Sequence, residues 1–426
     1  MTTTKPAYQQ PLFILLLLFS FCLPLSKSAA TVLLTIGCLT LMVMTAVNSE
    51  FRVMARERWN QPLLVPFVLI LAVALFGLLF TGNLADGRGV LNKIVSSPLV
   101  YLLIAFLAGI AGDRQHPNRV RDTALTAFIA GIAVLDTIGL LTYAGVIGHE
   151  RLTLPLAPLH VHHIWFANLN AVGVYAALSF VLFGSERLTA ANKALLTGFI
   201  AMAVLCILLS ISRTAWFGMI ATGIVMSWVL AGRKRVFYLT VAAVTIAALL
   251  AYWSNPIVHN RVNSIFSDIS QYAAGQTYSS LGDRFVMWGA ATRMFLSNVL
   301  VGVGTGDYMT TMREYVAAGT VPARILDYNQ PHNMYLFSLA TNGIPGFAAL
   351  LFLFTRVFTL TYPLRNAPPE RKQAFFLAAA VGVHYMVAGL TDSLFNIFLL
   401  RYSFAFIMGI CLHSGRVIAH DPLIPR

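Results

Sequence analysis

Charge is what this sequence has least of. Asp, Glu, Lys and Arg make up only 11% of its 426 residues, against about a quarter in a soluble domain, whose surface must face water. Acid is the scarcer sign, with sixteen Asp and Glu against twenty-nine Lys and Arg. No D-x-D or other close acidic pair occurs, which argues against a hard divalent cation held by paired carboxylates. The four cysteines (Cys22, Cys38, Cys206, Cys411) all sit in apolar runs without metal-ligand spacing, so they read as packing residues. Internal repeats and low-complexity segments are absent as well. A soluble globular domain is excluded by this composition.

What is present is hydrophobic sequence, 58% of all positions, with a mean hydropathy of +0.74. About 20 apolar residues cross a bilayer as a helix. Spans are predicted near 11–26, 29–48, 63–81, 98–112, 122–146, 164–184, 193–211, 214–231, 236–253, 333–355, 373–391 and 393–413. The stretch 193–232 has Lys193 and Arg213 as its only charges. As one helix it would reach about 60 Å, twice the hydrocarbon thickness. The chain must therefore turn back near Ser210-Ile211-Ser212-Arg213-Thr214. The run Pro11 to Leu25, preceded by Lys5 and followed by Ser28-Ala29-Ala30, has the outline of a cleavable signal; an uncleaved first helix is the expectation here.

The net charge of +13 would suggest nucleic acid in a soluble protein, but in a membrane its placement matters more. With the N-terminus inside, alternate loops carry Arg52/Arg56/Arg58, Arg114/Arg119/Arg121, Arg187/Lys193, Arg233/Lys234/Arg235 and Arg356/Arg365/Arg371/Lys372. With Lys5, Arg416 and Arg426, 18 of the 29 basic residues fall on one side, as the positive-inside rule requires of twelve spans with both termini cytoplasmic. The expected organisation is one membrane domain: helices 1–9 over 1–253, a helical outer loop over 254–332, and helices 10–12 with a tail over 333–426. The loop should hold a helix capped by Asn255-Pro256, with Val258, Val262, Ile265, Phe266 and Ile269 at helical spacing. A second helix should run from Gly282-Asp283-Arg284 past Trp288 to Phe295. A third should follow the turn Gly302-Val303-Gly304-Thr305-Gly306, which is no dinucleotide motif because no βαβ pattern surrounds it.

Several polar residues in this apolar setting are candidates for chemistry. Arg213, at an outer turn, reads either as a snorkelling helix-end residue or as five fixed donors for phosphate oxygens. Arg284, beside the candidate cap Asp283, reads as a solvated residue or a partner of Asp283 when taken alone. Arg261, Arg293, Arg313 and Arg324 share the loop and that reading. His332 lies in Asn329-Gln330-Pro331-His332-Asn333-Met334-Tyr335, where the loop meets an apolar helix. Pro331 at the first helical position would put His332 in the first turn, where the helix dipole disfavours imidazolium and leaves a neutral general base. A structural histidine satisfying local backbone groups is the alternative. His160, His162 and His163 fit no standard zinc spacing; they form an interfacial polar belt or touch a diphosphate or acceptor, and Asn168 and Asn170 follow them. Asp392 and Arg401 are expected to pair, while Asp136 has no evident partner.

Three of these features together resemble the bacterial O-antigen ligases, a superfamily that includes O-antigen polymerases and protein O-oligosaccharyltransferases. They are Ser-Arg-Thr at 212–214 after an apolar helix, Gly-Asp-Arg at 282–284 with Trp288 and Gly-Val-Gly downstream, and Pro-His-Asn-Met-Tyr-Leu at 331–336. The likeness spans about residues 160–400. It implies an all-α, polytopic GT-C-like fold with about twelve transmembrane helices. It further implies transfer of a polysaccharide from undecaprenyl diphosphate to lipid A-core at the periplasmic face of the bacterial inner membrane. Arg213, Arg284 and His332 are then the catalytic residues, the two arginines gripping the diphosphate without a metal. Candidate substrate contacts are His160, His162, His163, Asn168, Asn333, Tyr335 and Asp392. No cofactor and no nucleic acid are expected. The alternatives are a polymerase and, from another class, a lipid-linked glycan transporter or flippase, for which repeats and paired broken helices would be the sign.

Overall fold

A computed structural model describes residues 9–58, 60–111, 118–147, 154–184, 188–230 and 234–413. Lys5, Arg114, Arg187, Arg233, Arg416 and Arg426, used in the charge argument above, lie outside them, as do the side chains of Lys234, Arg235 and His160. Among the described residues all regular structure is helical.

The chain begins with α1 (Gln9–Cys22), α2 (Lys27–Val47), the short α3 (Ser49–Glu57), α4 (Leu64–Gly77), α5 (Leu84–Ala111) and α6 (Arg119–Tyr143). It continues through α7 (His163–Phe183), α8 (Ala190–Leu209), α9 (Arg213–Leu230) and α10 (Lys234–Ser254). Then come α11 (Pro256–Ala273), α12 (Ser280–Ser297) and α13 (Tyr308–Ala317), followed by α14 (Met334–Thr361), α15 (Pro369–Ala388) and α16 (Phe398–Cys411). A helix stands at each of the twelve predicted spans. Seven of them (α2, α5–α9 and α14) are long and apolar enough to cross a membrane by length and composition, and α1, α4 and α16 are shorter apolar helices. This is the construction of a polytopic membrane protein. α15 and α16 are buried almost along their whole length, and α7 packs beside both.

Two boundaries in the first half of the chain differ from the expectation. α5 starts at Leu84 and passes through Pro98, although the apolar run begins only there; Asp86, Arg88 and Lys93 in its first turns depress hydropathy without breaking a helix. α3 occupies what reads as a basic loop. Its Arg52 donates from Nε and Nη2 to Thr45 O and Ala46 O at 3.0 and 2.7 Å, satisfying carbonyls that the end of α2 leaves free.

The segment between α10 and α14 is tied to the bundle. Asn255 caps α11 by accepting from Ile257 N–H and Val258 N–H. α12 begins earlier than predicted, at Ser280, and its cap is Ser279, accepting from Gly282 N–H at 3.0 Å. Asp283 is therefore no cap; it accepts from Arg324 Nε at 2.8 Å and from Tyr328 OH at 3.3 Å. The glycine turn has a packing role. Gly304 and Gly306 adopt φ of +100° and +107°, which only glycine takes without strain. Thr305 Oγ1 donates to Ala74 O at 2.9 Å, and Asp307 accepts from Thr81 Oγ1, Gly82 N–H and Asn83 N–H between α4 and α5.

Candidate active site

The turn that reverses the chain between α8 and α9 is sharp because Ile211 takes φ +54°, a left-handed conformation costly for a β-branched residue. Arg213 therefore starts α9, at the end of the bundle where α11 and α12 pass. Its Nη2 donates to Ser280 Oγ at 3.2 Å, and its Nη1 stands 3.7 Å from Asp268 Oδ2 of α11. That Nη1 is buried without a hydrogen bond, a donor left for something the protein does not supply. Arg261, also on α11, donates from Nε to Ile211 O at 3.3 Å. Arg284, in the first turns of α12, makes no hydrogen bond or ion pair with any described residue. The three guanidiniums lie within electrostatic reach of one another. Burial pulls Arg284 below its ordinary value and Arg261 adds to this, while Asp392 opposes.

Asp392 brings in the other half. It lies between α15 and α16 at 1% exposure, and its Oδ1 collects three donors. They are Gln330 Nε2 at 2.9 Å, His332 Nδ1 at 3.1 Å and Ser393 N–H at 2.8 Å. Burial alone would raise this carboxyl, but the His332 contact, Gln330 and the Ser393 N–H together hold it below the ordinary carboxylate value. An ionised carboxylate only accepts, so the His332 proton belongs on Nδ1 and the lone pair on Nε2. The expected Asp392–Arg401 pair does not form. Arg401 donates instead to Ser96 Oγ and Phe395 O, because the Asp392 oxygen faces the strand of chain entering α14.

His332 also sits differently from the expectation. Asn333 is the cap of α14, accepting from Tyr335 N–H and Leu336 N–H at 3.0 Å each. His332 thus precedes the helix, with φ +50°, and owes its placement to neighbours rather than to a helix dipole. Gln330 Oε1 accepts its N–H at 2.8 Å, Trp288 Nε1 ties down Pro331 O at 2.9 Å, and the Tyr328 ring meets the imidazole edge-on at 5.5 Å. Strained non-glycine residues are costly and gather where structure serves chemistry. Of the three such residues described here, Ile211 and His332 are at this site.

His162 and His163 close one flank, their rings 4.6 Å apart. His162 caps α7 and interacts electrostatically with His332 and Asp392; burial pulls it below its ordinary value. His163 Nδ1 contacts Ser210 O at 2.9 Å. The remaining candidates are committed elsewhere. Asn168 Oδ1 is 2.9 Å from His384 Nε2 inside the bundle, Asn333 Nδ2 donates to Leu390 O, and Tyr335 OH donates to Met386 O at 2.7 Å. Arg261, read above only as a loop arginine, joins the site, as do Asp268 and Gln330, which were not candidates. A signal for the first two was available: in α11 they are the only Arg/Lys and Asp/Glu residues, seven positions apart and so on one face.

Residues 198–351, from α8 to the middle of α14, match the family model for O-antigen ligases. That segment contains Arg213, Arg261, Arg284 and His332. Over that segment the chain is similar to the O-antigen ligases. An uncharacterized protein of Haemophilus influenzae is 29% identical over 187 residues, covering 42% of this chain and 47% of that relative; the match thus spans about half the length of the relative.

Proposed function

We propose that this chain is an O-antigen ligase proper: a GT-C-type glycosyltransferase that moves polysaccharide from undecaprenyl diphosphate to lipid A-core. The reaction runs at the periplasmic face of the inner membrane. One observation carries the reading. A cluster of Arg213, Arg261 and Arg284 with spare donors adjoins a histidine oriented by a buried carboxylate. In the reaction the acceptor hydroxyl gives its proton to His332 Nε2, and its oxygen attacks the anomeric carbon. The bond from that carbon to the diphosphate oxygen breaks, and the developing charge falls on arginines already in place. Asp392 keeps the Nδ1 proton and stabilises the imidazolium. Direct displacement inverts the anomeric carbon. Residues 254–332 form the periplasmic loop that completes the site, between spans 1–9 (residues 1–253) and 10–12 (333–426).

The arginines take the place a metal would hold, so chelator should leave the rate unchanged. The test combines purified protein, a lipid-linked glycan and lipid A-core, with and without chelator. Glycan on lipid A-core, insensitive to chelator, supports the proposal. Lengthening of the lipid-linked glycan alone would assign polymerase activity, and movement of glycolipid without a new glycosidic bond would assign transport.

A further inference from the structure

Arg401 is buried, at 6% exposure, yet among the described residues it has no carboxylate partner. Its Nε and Nη1 donate to Ser96 Oγ and Phe395 O at 3.1 and 2.9 Å. Arg401 also lines a cavity of about 130 Å³ between α4, α5, α14 and α16. The walls are apolar, with Phe67, Val90, Phe337 and Leu350 among them, and Lys93 shares the rim with Arg401. Lys93 lies within electrostatic reach of Arg401 and of Lys27. Lys27 starts α2 and holds its Nζ 5.7 Å from the Phe398 ring. Two cations thus line one hollow, with Lys27 near Lys93, and no acid among the described residues pairs with Arg401. A buried, uncompensated charge is costly and calls for a counter-charge.

We propose that this hollow is a lipid site separate from the arginine cluster around His332. It takes an acyl chain between α4, α5 and α14, and the phosphate of the same lipid on Arg401 and Lys93. The pairing of an apolar slot with a cationic rim selects an amphiphile over either half alone. An uncharged lipid leaves the guanidinium uncompensated, and a free phosphate leaves the slot empty. The site does not depend on the proposed transfer reaction, although Met334, two residues after His332, forms part of its wall.

The test uses the full chain in detergent, titrated with dioleoyl phosphatidic acid or dioleoylglycerol and read by native mass spectrometry. Each measurement is made in the wild type and in the Arg284→Ala variant, so that binding at the arginine cluster is separated. Phosphatidic acid should bind several-fold more tightly than dioleoylglycerol. Lys93→Gln, at an exposed residue that the fold tolerates, should weaken it about fivefold, the effect of one basic residue near anionic lipid. The loss should be equal in both backgrounds. Ile94→Trp, narrowing the slot with every charge intact, should also weaken binding, and millimolar inorganic phosphate should not compete. Equal affinity for dioleoylglycerol, or an unchanged Lys93→Gln variant of normal thermal stability, overturns the proposal. So does competition by phosphate with Ile94→Trp unaffected, which would make this an anion site only.

Discussion

At the scale of single residues, the contact between His332 and Asp392 is the most consequential. The carboxyl of Asp392 is held below its ordinary value, about 4, against its own burial. A carboxylate depressed on folding contributes stability that is fully present above that ordinary value and is lost as pH falls through the lowered one. The contact is therefore intact at neutral and mildly acid pH, where Asp392 stays ionised. His332→Ala should cost about 10²–10⁴-fold in transfer rate, the usual contribution of a general base, while donor-lipid affinity stays near wild type. Asp392→Asn should follow it part of the way, because the amide NH2 can donate to Nδ1 and leave the ring proton on Nε2. Transfer rate, donor affinity and thermal unfolding measured together decide this. A folded Asp392→Asn protein with normal turnover would remove the carboxylate from the mechanism. Both residues stand out in the sequence, His332 by its place at the edge of an apolar helix and Asp392 as an acid at a turn. Their contact does not, since sixty positions separate them, and proximity in sequence pointed Asp392 to Arg401 instead.

At the scale of elements, hydropathy and cap residues determine most of what is seen. Asn255 and Pro256 start α11 as expected, and the chain reverses at Ser210–Arg213 as the length of the apolar run demands. Hydropathy says less where polar residues occur inside a helix, as in the first turns of α5, and where a helix breaks without losing its apolar character. α14 contains such a break at Gly343, with φ +60° and ψ −156°. A Cβ there would lie 2.5 Å from the Leu300 carbonyl carbon and oxygen. Gly343→Ala should destabilise the protein by about 1–3 kcal/mol from backbone strain alone, before any displacement of Leu300. Gly198→Ala in α8 meets nothing within 4 Å and should be neutral or slightly stabilising, as alanine favours helices. Thermal midpoints of the two variants check the pair; equal midpoints would mean that α14 is not locked at this break.

At the scale of the whole molecule, one orientation in the membrane makes the site serviceable. With the basic loops inside, the α8–α9 turn, the start of α14 and the α15–α16 turn share the outer face. Cysteines introduced at exposed Tyr278 and at Arg233 should label oppositely in intact cells, Tyr278→Cys from outside and Arg233→Cys only after permeabilisation. The reverse pattern would put the arginines in the wrong compartment for a periplasmic donor. Those arginines have a second consequence. Three like charges share two carboxylates, Asp268 and Asp392, the latter also held by His332, so the arginines repel one another and folding alone does not relieve it. Occupancy and fold stability are then coupled through one linked equilibrium, and the protein carries its own gauge of ligand. Pyrophosphate, standing in for the lipid diphosphate, should raise the unfolding temperature, with about 2.7 kcal/mol gained at a hundred times its dissociation constant. Arg284→Gln should do the opposite of an ordinary damaging change. The unliganded protein should melt later than wild type while the response to pyrophosphate fades, exchanging ligand sensitivity for resting stability.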